Sequence, residues 1–163
     1  MAKPSSVEIR PARLGDHGWV LEQHARLYED EEGWDEPFLA LVARVIADYL
    51  DDHDPDREAA WIAELDGKRA GAVYCMRRSD DVAQLRLLFV ESAARGHGVG
   101  SRLVHHCIGF ARERGYARMV LWTNNSLASA RRIYDAAGFT QTRQEPHPVF
   151  PEGTVGQELW LNL

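Results

Sequence analysis

The chain has 163 residues, of which 45% are hydrophobic and 27% charged, and its formal net charge is −6. That length fits one domain burying roughly 70% of its unfolded surface, with the mixture of a soluble globular protein. The negative balance argues against nucleic-acid binding through a general positive field and mildly favours a cationic acceptor such as an amine.

Met1 to Ser6 runs directly into strand-like Val7-Glu8-Ile9-Arg10, with nothing resembling a signal peptide, and no apolar run approaches the ~18 residues of a membrane span. A cytoplasmic location and no membrane partner are the simplest expectations. Residues 7 to 12 read as a first strand, stopped by Pro11. Asp16 can cap a helix running to about Tyr28, and an acidic stretch follows at Glu29, Asp30, Glu31, Glu32, Asp35 and Glu36. Pro37 suits the first turn of a second helix, whose apolar residues Phe38, Leu41, Val42, Val45, Ile46 and Tyr49 recur at helical spacing.

Ala59 to Leu65 and Gly71 to Met76 read as strands joined by an Asp66-Gly67 hairpin turn, with a third strand from Gln84 to Glu91 completing an antiparallel meander. An amphipathic helix from Val99 stops at Gly115, and Met119 to Trp122 is a short strand buried on both faces. Asn124 to Ser126 can cap a further helix ending at Gly138. Strands at Thr140 to Glu145 and Gln157 to Leu161 close the chain, separated by a loop at Pro146 to Gly156. The order β-α-α-β-β-β-α-β-α-β-β predicts an α+β (mixed α/β) single domain over residues 1–163, with helices on both faces of the sheet.

The chemistry concentrates at Arg95-Gly96-His97-Gly98-Val99-Gly100, between the apolar run Leu85 to Val90 and the helix that follows. Glycines admit close backbone approach, and the first-turn amides of a helix lack intrahelical partners at the positive end of its dipole, so the segment is an anion cradle. Gly100 is followed by Ser101-Arg102, without the lysine of a nucleoside-triphosphate loop. Gly96-x-Gly98-x-Gly100 comes late in the chain and lacks the dinucleotide spacing.

What does fit is the Arg/Gln-x-x-Gly-x-Gly/Ala pyrophosphate loop, read as Arg95, Gly98 and Gly100. The block Val90 to Leu103, with a second block from Ala130 to Phe139 containing Tyr134-Asp135-Ala136-Ala137-Gly138-Phe139, resembles the GNAT acetyltransferase family. The resemblance implies a central mixed, mostly antiparallel sheet of about seven strands with a splayed central pair. It also implies acetyl-CoA as cosubstrate, no metal, and acetyl transfer to a primary amine of a small molecule or peptide. Pyrophosphate would face the amides of Gly96, His97, Gly98, Val99, Gly100 and Ser101, with Arg95 adding charge and Arg102 solvated. Pantetheine would add to the edge of Leu88, Phe89 and Val90, and Tyr134 would protonate the departing thiolate.

Ser92 replaces the proline common after that strand, and Leu127 stands where an asparagine is often found, leaving Asn124 or Asn125 to supply one cofactor hydrogen bond. The base stays open between Glu91 and the acidic stretch. Trp34 is the tryptophan best placed to touch substrate, and His53, His97, His105, His106 and His147 form no recognisable metal set. Cys75 and Cys107 have no metal or redox spacing.

The region Trp122 to Phe139 also resembles the acetyltransferase part of regulators that carry a MarR-like winged helix upstream, a DNA-binding part expected to be missing here. The last two strands often contribute to homodimers in similar proteins. A CoA-binding sensor or interaction module without turnover is the alternative expectation.

Overall fold

The computed structural model describes residues 5–29, 34–124, 128–146 and 151–163. The elements are β1 (Val7–Pro11), α1 (Leu14–Glu29), α2 (Glu36–Asp52), β2 (Ala59–Leu65), β3 (Lys68–Arg77), β4 (Val82–Val90), α3 (Val99–Glu113), β5 (Arg118–Asn124), α4 (Ala128–Ala137), β6 (Thr140–Pro146) and β7 (Val155–Asn162). This is the element order predicted from sequence, with an added 3-10 turn at Ser92–Ala94.

α1 begins two residues before Asp16, so Asp16 works from within the first turn instead of as the cap. Its Oδ2 accepts the Arg13 N–H at 2.7 Å, and the carboxylate also binds Arg10 at 2.7 Å and Arg69 at 3.2 Å. The aspartate therefore ties the start of α1 to β1 and β3. The β2–β3 hairpin turns where expected, with Asp66 and Gly67 both at positive φ (52° and 82°) as a primed turn requires.

The sheet has seven strands in the order β1-β2-β3-β4-β5-β7-β6. Among the described residues only β4 and β5 pair in parallel; β2 to β4 form the expected antiparallel meander, β1 adds antiparallel to the free edge of β2, and β7 inserts antiparallel between β5 and β6. Side chains alternate between faces along each strand. Trp61, Ala63, Val73 and Cys75 point to a core closed by α3 and α4, through Leu103, Val104, Cys107 and Tyr134. Ala60, Ile62, Ala72 and Tyr74 point to the opposite core, closed by Val20 of α1 and Val42, Ile46 and Tyr49 of α2.

β4 sits so close to β3 that only glycine fits at position 71, where an added Cβ would lie 2.5 Å from the Phe89 carbonyl oxygen and would also meet Leu103 and Val99 of α3 at 3.0 and 3.2 Å. β6 is exposed throughout, consistent with its polar run at the sheet edge. Both cysteines are buried and free. Among the described residues no helix is long and apolar enough to cross a membrane.

Candidate active site

The site begins with a mismatch in strand length. Tyr74 pairs with Arg86 and Ala72 with Phe89, so two steps along β3 answer three along β4. The extra residue is accommodated at Leu87, which takes φ of 54°, a left-handed conformation costing an L-residue roughly 1–2 kcal/mol. β4 bends there. Its parallel pairing with β5 covers only Val82, Ala83 and Gln84, and past them the two strands diverge. From Leu85 to Val90 the β4 edge thus has no strand partner on the β5 side among the described residues, which is the splay expected between central strands.

The glycine loop closes one end of the resulting cleft. Gly98 is the N-cap of α3 at φ of 75°, and Gly96 holds φ of 85°. These conformations turn successive amides toward one side. The first bond of the helix is donated by Arg102 N–H to Gly98 O, at 3.1 Å. Among the described residues the amides from Gly96 to Ser101 find no backbone acceptor, leaving a row of donors at the positive end of the α3 dipole.

A cavity of about 300 Å³ opens against this row, lined by Leu88, Phe89, Val90, Arg95, Gly96, Gly98, Val99, Gly100 and Ser101, with Leu27 of α1 and Ala130 and Ile133 of α4 opposite. The structure thus brings together most of the residues expected to hold the cofactor. The His97 side chain is exposed and outside that lining, while its backbone amide belongs to the row of donors. Arg102 is not simply solvated, since it donates to Val7 O at 2.8 Å and so fixes α3 to β1. Asn125 lies outside the described residues.

A second cavity, of about 160 Å³, adjoins the first at Leu88 and Ala130 and continues the cleft between β4, β5 and α2. Tyr134 lines this one and not the larger, buried and edge-on to Phe139 at 5.8 Å. His24, Arg86, Trp122 and Asn124 line it too. His24 is 5% exposed, and its Nδ1–H donates to Val20 O at 2.9 Å. That bond leaves Nε2 as the basic nitrogen of a neutral ring. Burial pulls the His24 pKa below 6.5, outweighing the bond to Val20.

Among the described residues no carboxylate lines either cavity. Glu91, one of the two base alternatives, instead caps the 3-10 turn and donates its N–H to Ala70 O. Of the acidic stretch, Asp30, Glu31 and Glu32 lie outside the described residues, while Asp35 and Glu36 form the N-cap and first turn of α2. Trp34 stacks edge-on against Phe38 at 4.6 Å, and Phe38 in turn lines the smaller cavity.

Sequence alone does not single out His24 or Arg86. His24 is one histidine among seven, and nothing local says that α1 will lay it over Phe89, 5.5 Å away between ring centres. Arg86 did carry a signal, as a lone charge in the otherwise apolar run from Leu85 to Val90. Among the described residues no group of His, Cys, Asp and Glu could hold a metal ion.

Comparison with known proteins bears on the fold and the family. Human N-acetyltransferase 8B is 36% identical over 89 residues, covering 52% of this chain and 39% of that protein. Zebrafish (Danio rerio) N-acetylaspartate synthetase is 31% identical over 98 residues, covering 60% of this chain and 35% of that protein. The chain therefore matches well under half the length of these relatives. Among solved structures, a Salmonella typhimurium protein determined with its cofactor acetyl-CoA superposes with a TM-score of 0.74 at 21% identity, covering 96% of this chain and 93% of the other. The profile of the Acetyltransferase (GNAT) family matches residues 20–139, from the middle of α1 to the end of the Tyr134–Phe139 segment, and the chain belongs to that family.

Proposed function

We propose that this chain is an acetyl-CoA-dependent N-acetyltransferase moving an acetyl group to a primary amine of a small molecule or peptide by direct transfer. The observation that carries the reading is the single cleft between β4 and β5, with unpartnered amides at one end and a phenol and a neutral imidazole at the other. Acetyl-CoA supplies a thioester whose carbonyl an amine can attack. The amides from Gly96 to Ser101 and the Arg95 guanidinium hold its diphosphate. The free edge of β4 around Leu88 to Val90 pairs with the amides of its pantetheine arm, which satisfies backbone groups that would otherwise be costly to bury.

His24 Nε2 takes a proton from the amine as the nitrogen–carbon bond forms, and Tyr134 donates one to the sulfur as the carbon–sulfur bond breaks. His24 is suited to this because burial keeps it unprotonated at neutral pH. N-acetyltransferase 8B and N-acetylaspartate synthetase, whose names state N-acetylation, support an amine nitrogen as acceptor.

The test combines calorimetric titration of CoA and acetyl-CoA with thiol release in the presence of amines, polyamines, amino acids and peptides. Saturable binding and amine-dependent thiol release are expected. No binding at millimolar ligand would overturn the reading. Binding without acceleration by any acceptor would make the chain a CoA-binding module.

A further inference from the structure

Arg86 faces the smaller cavity in an unusual electrostatic position. It is half-buried on β4, in register with Tyr74, and α2 packs over the cavity with Phe38, Leu41 and Val45. Guanidinium groups stay charged in proteins, and a partly desolvated charge is costly unless paired. Among the described residues Arg86 makes no ion pair or hydrogen bond, and the acidic group that acts on it is the exposed Asp48 of α2, beyond ion-pair distance. Burial lowers its pKa more than Asp48 raises it, so the protein around it does not neutralise the charge. Other polar groups at the cavity are no substitute, since neither His24 nor Tyr134 carries negative charge at neutral pH.

We infer that Arg86 receives the carboxylate of the acceptor, and that the acceptor is a small amino acid bearing a free carboxylate. This rests on the proposed acetyl transfer and names its substrate class. The planar fork of arginine matches a carboxylate in bidentate geometry, which lysine would not reproduce. A volume of about 160 Å³ corresponds to roughly ten water-sized positions, the scale of a free amino acid and too small for a folded partner. The diphosphate of the cosubstrate has its own donors in the adjoining cavity, so Arg86 is not needed there. Tyr134 and His24 line the same small cavity, which brings the amine of a ligand anchored at Arg86 to the proposed donor and base.

Two measurements on the intact protein test this. Calorimetry on CoA-saturated protein compares N-acetylated alanine, methionine and leucine with their primary amides, and thiol release compares the free amino acids with the corresponding amino-acid amides. The acids are expected to bind and react ~10-fold or more better than the amides. Arg86→Gln should erase that ratio while CoA affinity, which reports the fold of the cradle, stays the same. Arg86→Lys should restore part of the ratio, and Asp48→Asn should leave it in place.

Amides equal to acids, an unchanged ratio in Arg86→Gln, or no binding by any acid would overturn the inference. If thiol release occurs with amides and acids alike, the acetyl transfer stands and the carboxylate subsite falls. If the acids bind through Arg86 yet no amine releases thiol, the subsite stands and the acetyl transfer falls.

Discussion

Adding one methyl group at Gly71 should damage both the fold and the cofactor cleft, whereas the same methyl at Gly109 should do neither. A Cβ at position 71 would lie 2.5 Å from the Phe89 carbonyl oxygen, 3.0 Å from Leu103 Cδ1 and 3.2 Å from Val99 Cγ1. The leucine and valine contacts can relax by rotation. The carbonyl cannot, because it belongs to the β4 backbone held in register against β3. Restoring an ordinary C···O approach of ~3.3 Å requires the strands to part by about 0.8 Å. Overpacking of this kind costs 1–3 kcal/mol, and a backbone clash belongs at the upper end, about 3 kcal/mol.

For a chain of this size that corresponds to a fall in Tm of roughly 6–12 °C. Because the displaced segment is Phe89–Val90, the lining of the larger cavity moves as well, and CoA affinity should weaken by ~10-fold, or about 1.4 kcal/mol. At Gly109, inside α3, an added Cβ meets nothing within 4 Å. There alanine should stabilise by ~0.5–1 kcal/mol through helix propensity and leave CoA binding alone. Thermal melts and calorimetry on Gly71→Ala and Gly109→Ala decide the matter. A Gly71→Ala protein melting within ~2 °C of wild type would refute the close approach of α3, β3 and β4 on which the position of the cleft depends.

Tyr134→Phe should reduce kcat by ~10²-fold while CoA affinity is retained, as measured by thiol release and calorimetry; an unchanged rate would remove the phenol from its role. Because burial holds the His24 pKa below 6.5, the acid limb of kcat/KM should fall below that pH, and it should disappear in His24→Gln along with ~10²-fold or more of the rate. An acid limb at pH 7 or higher would point to another base. The Asp16 carboxyl, 4% exposed, is pushed up by burial but brought down to about 2 from 3.8 by hydrogen bonds from Arg10, Arg13 N–H and Arg69. Asp16→Asn should therefore lose about 2 kcal/mol at pH 7 in denaturant melts. The depressed pKa means that this contribution is complete above pH 3.8 and disappears as pH falls through about 2, so wild type and variant should converge in acid.

The elements were legible because periodicity and punctuation agree with the fold along most of the chain. Asp66-Gly67 marks its hairpin, Gly115 and Gly138 follow their helices at φ of 84° and 101°, and the glycine loop stands where a strand feeds a helix. The insertion of β7 between β5 and β6 was not legible, since neither strand's pattern names its neighbour. The bend at Leu87 was equally hidden. Left-handed backbone is usually signalled by glycine or asparagine, yet here it falls on one leucine among several, forced by the pairing of β3 on one side and the divergence of β5 on the other. The backbone donors of the cradle could be read from glycines. Side chains meeting from α1, β4 and α4 depend on how three distant segments pack, so Tyr134 was legible only through the family resemblance and His24 not at all.

Charge shows most clearly where a whole-chain property loses to a local one. A net charge of −6 favours a cation at long range, but exposed charges are screened over about 8 Å at physiological salt. Inside the small cavity the screening is weaker, and the nearest groups decide. Those groups are a guanidinium, a neutral imidazole and a phenol, with Asp48 exposed on α2 and no lining carboxylate among the described residues. On the proposed reading, the surface draws in a protonated amine while the cleft receives a carboxylate at Arg86. An amino acid carries both charges, with one carbon between its ammonium nitrogen and its carboxylate, so the inferred substrate class answers the outer field and the inner one with a single molecule.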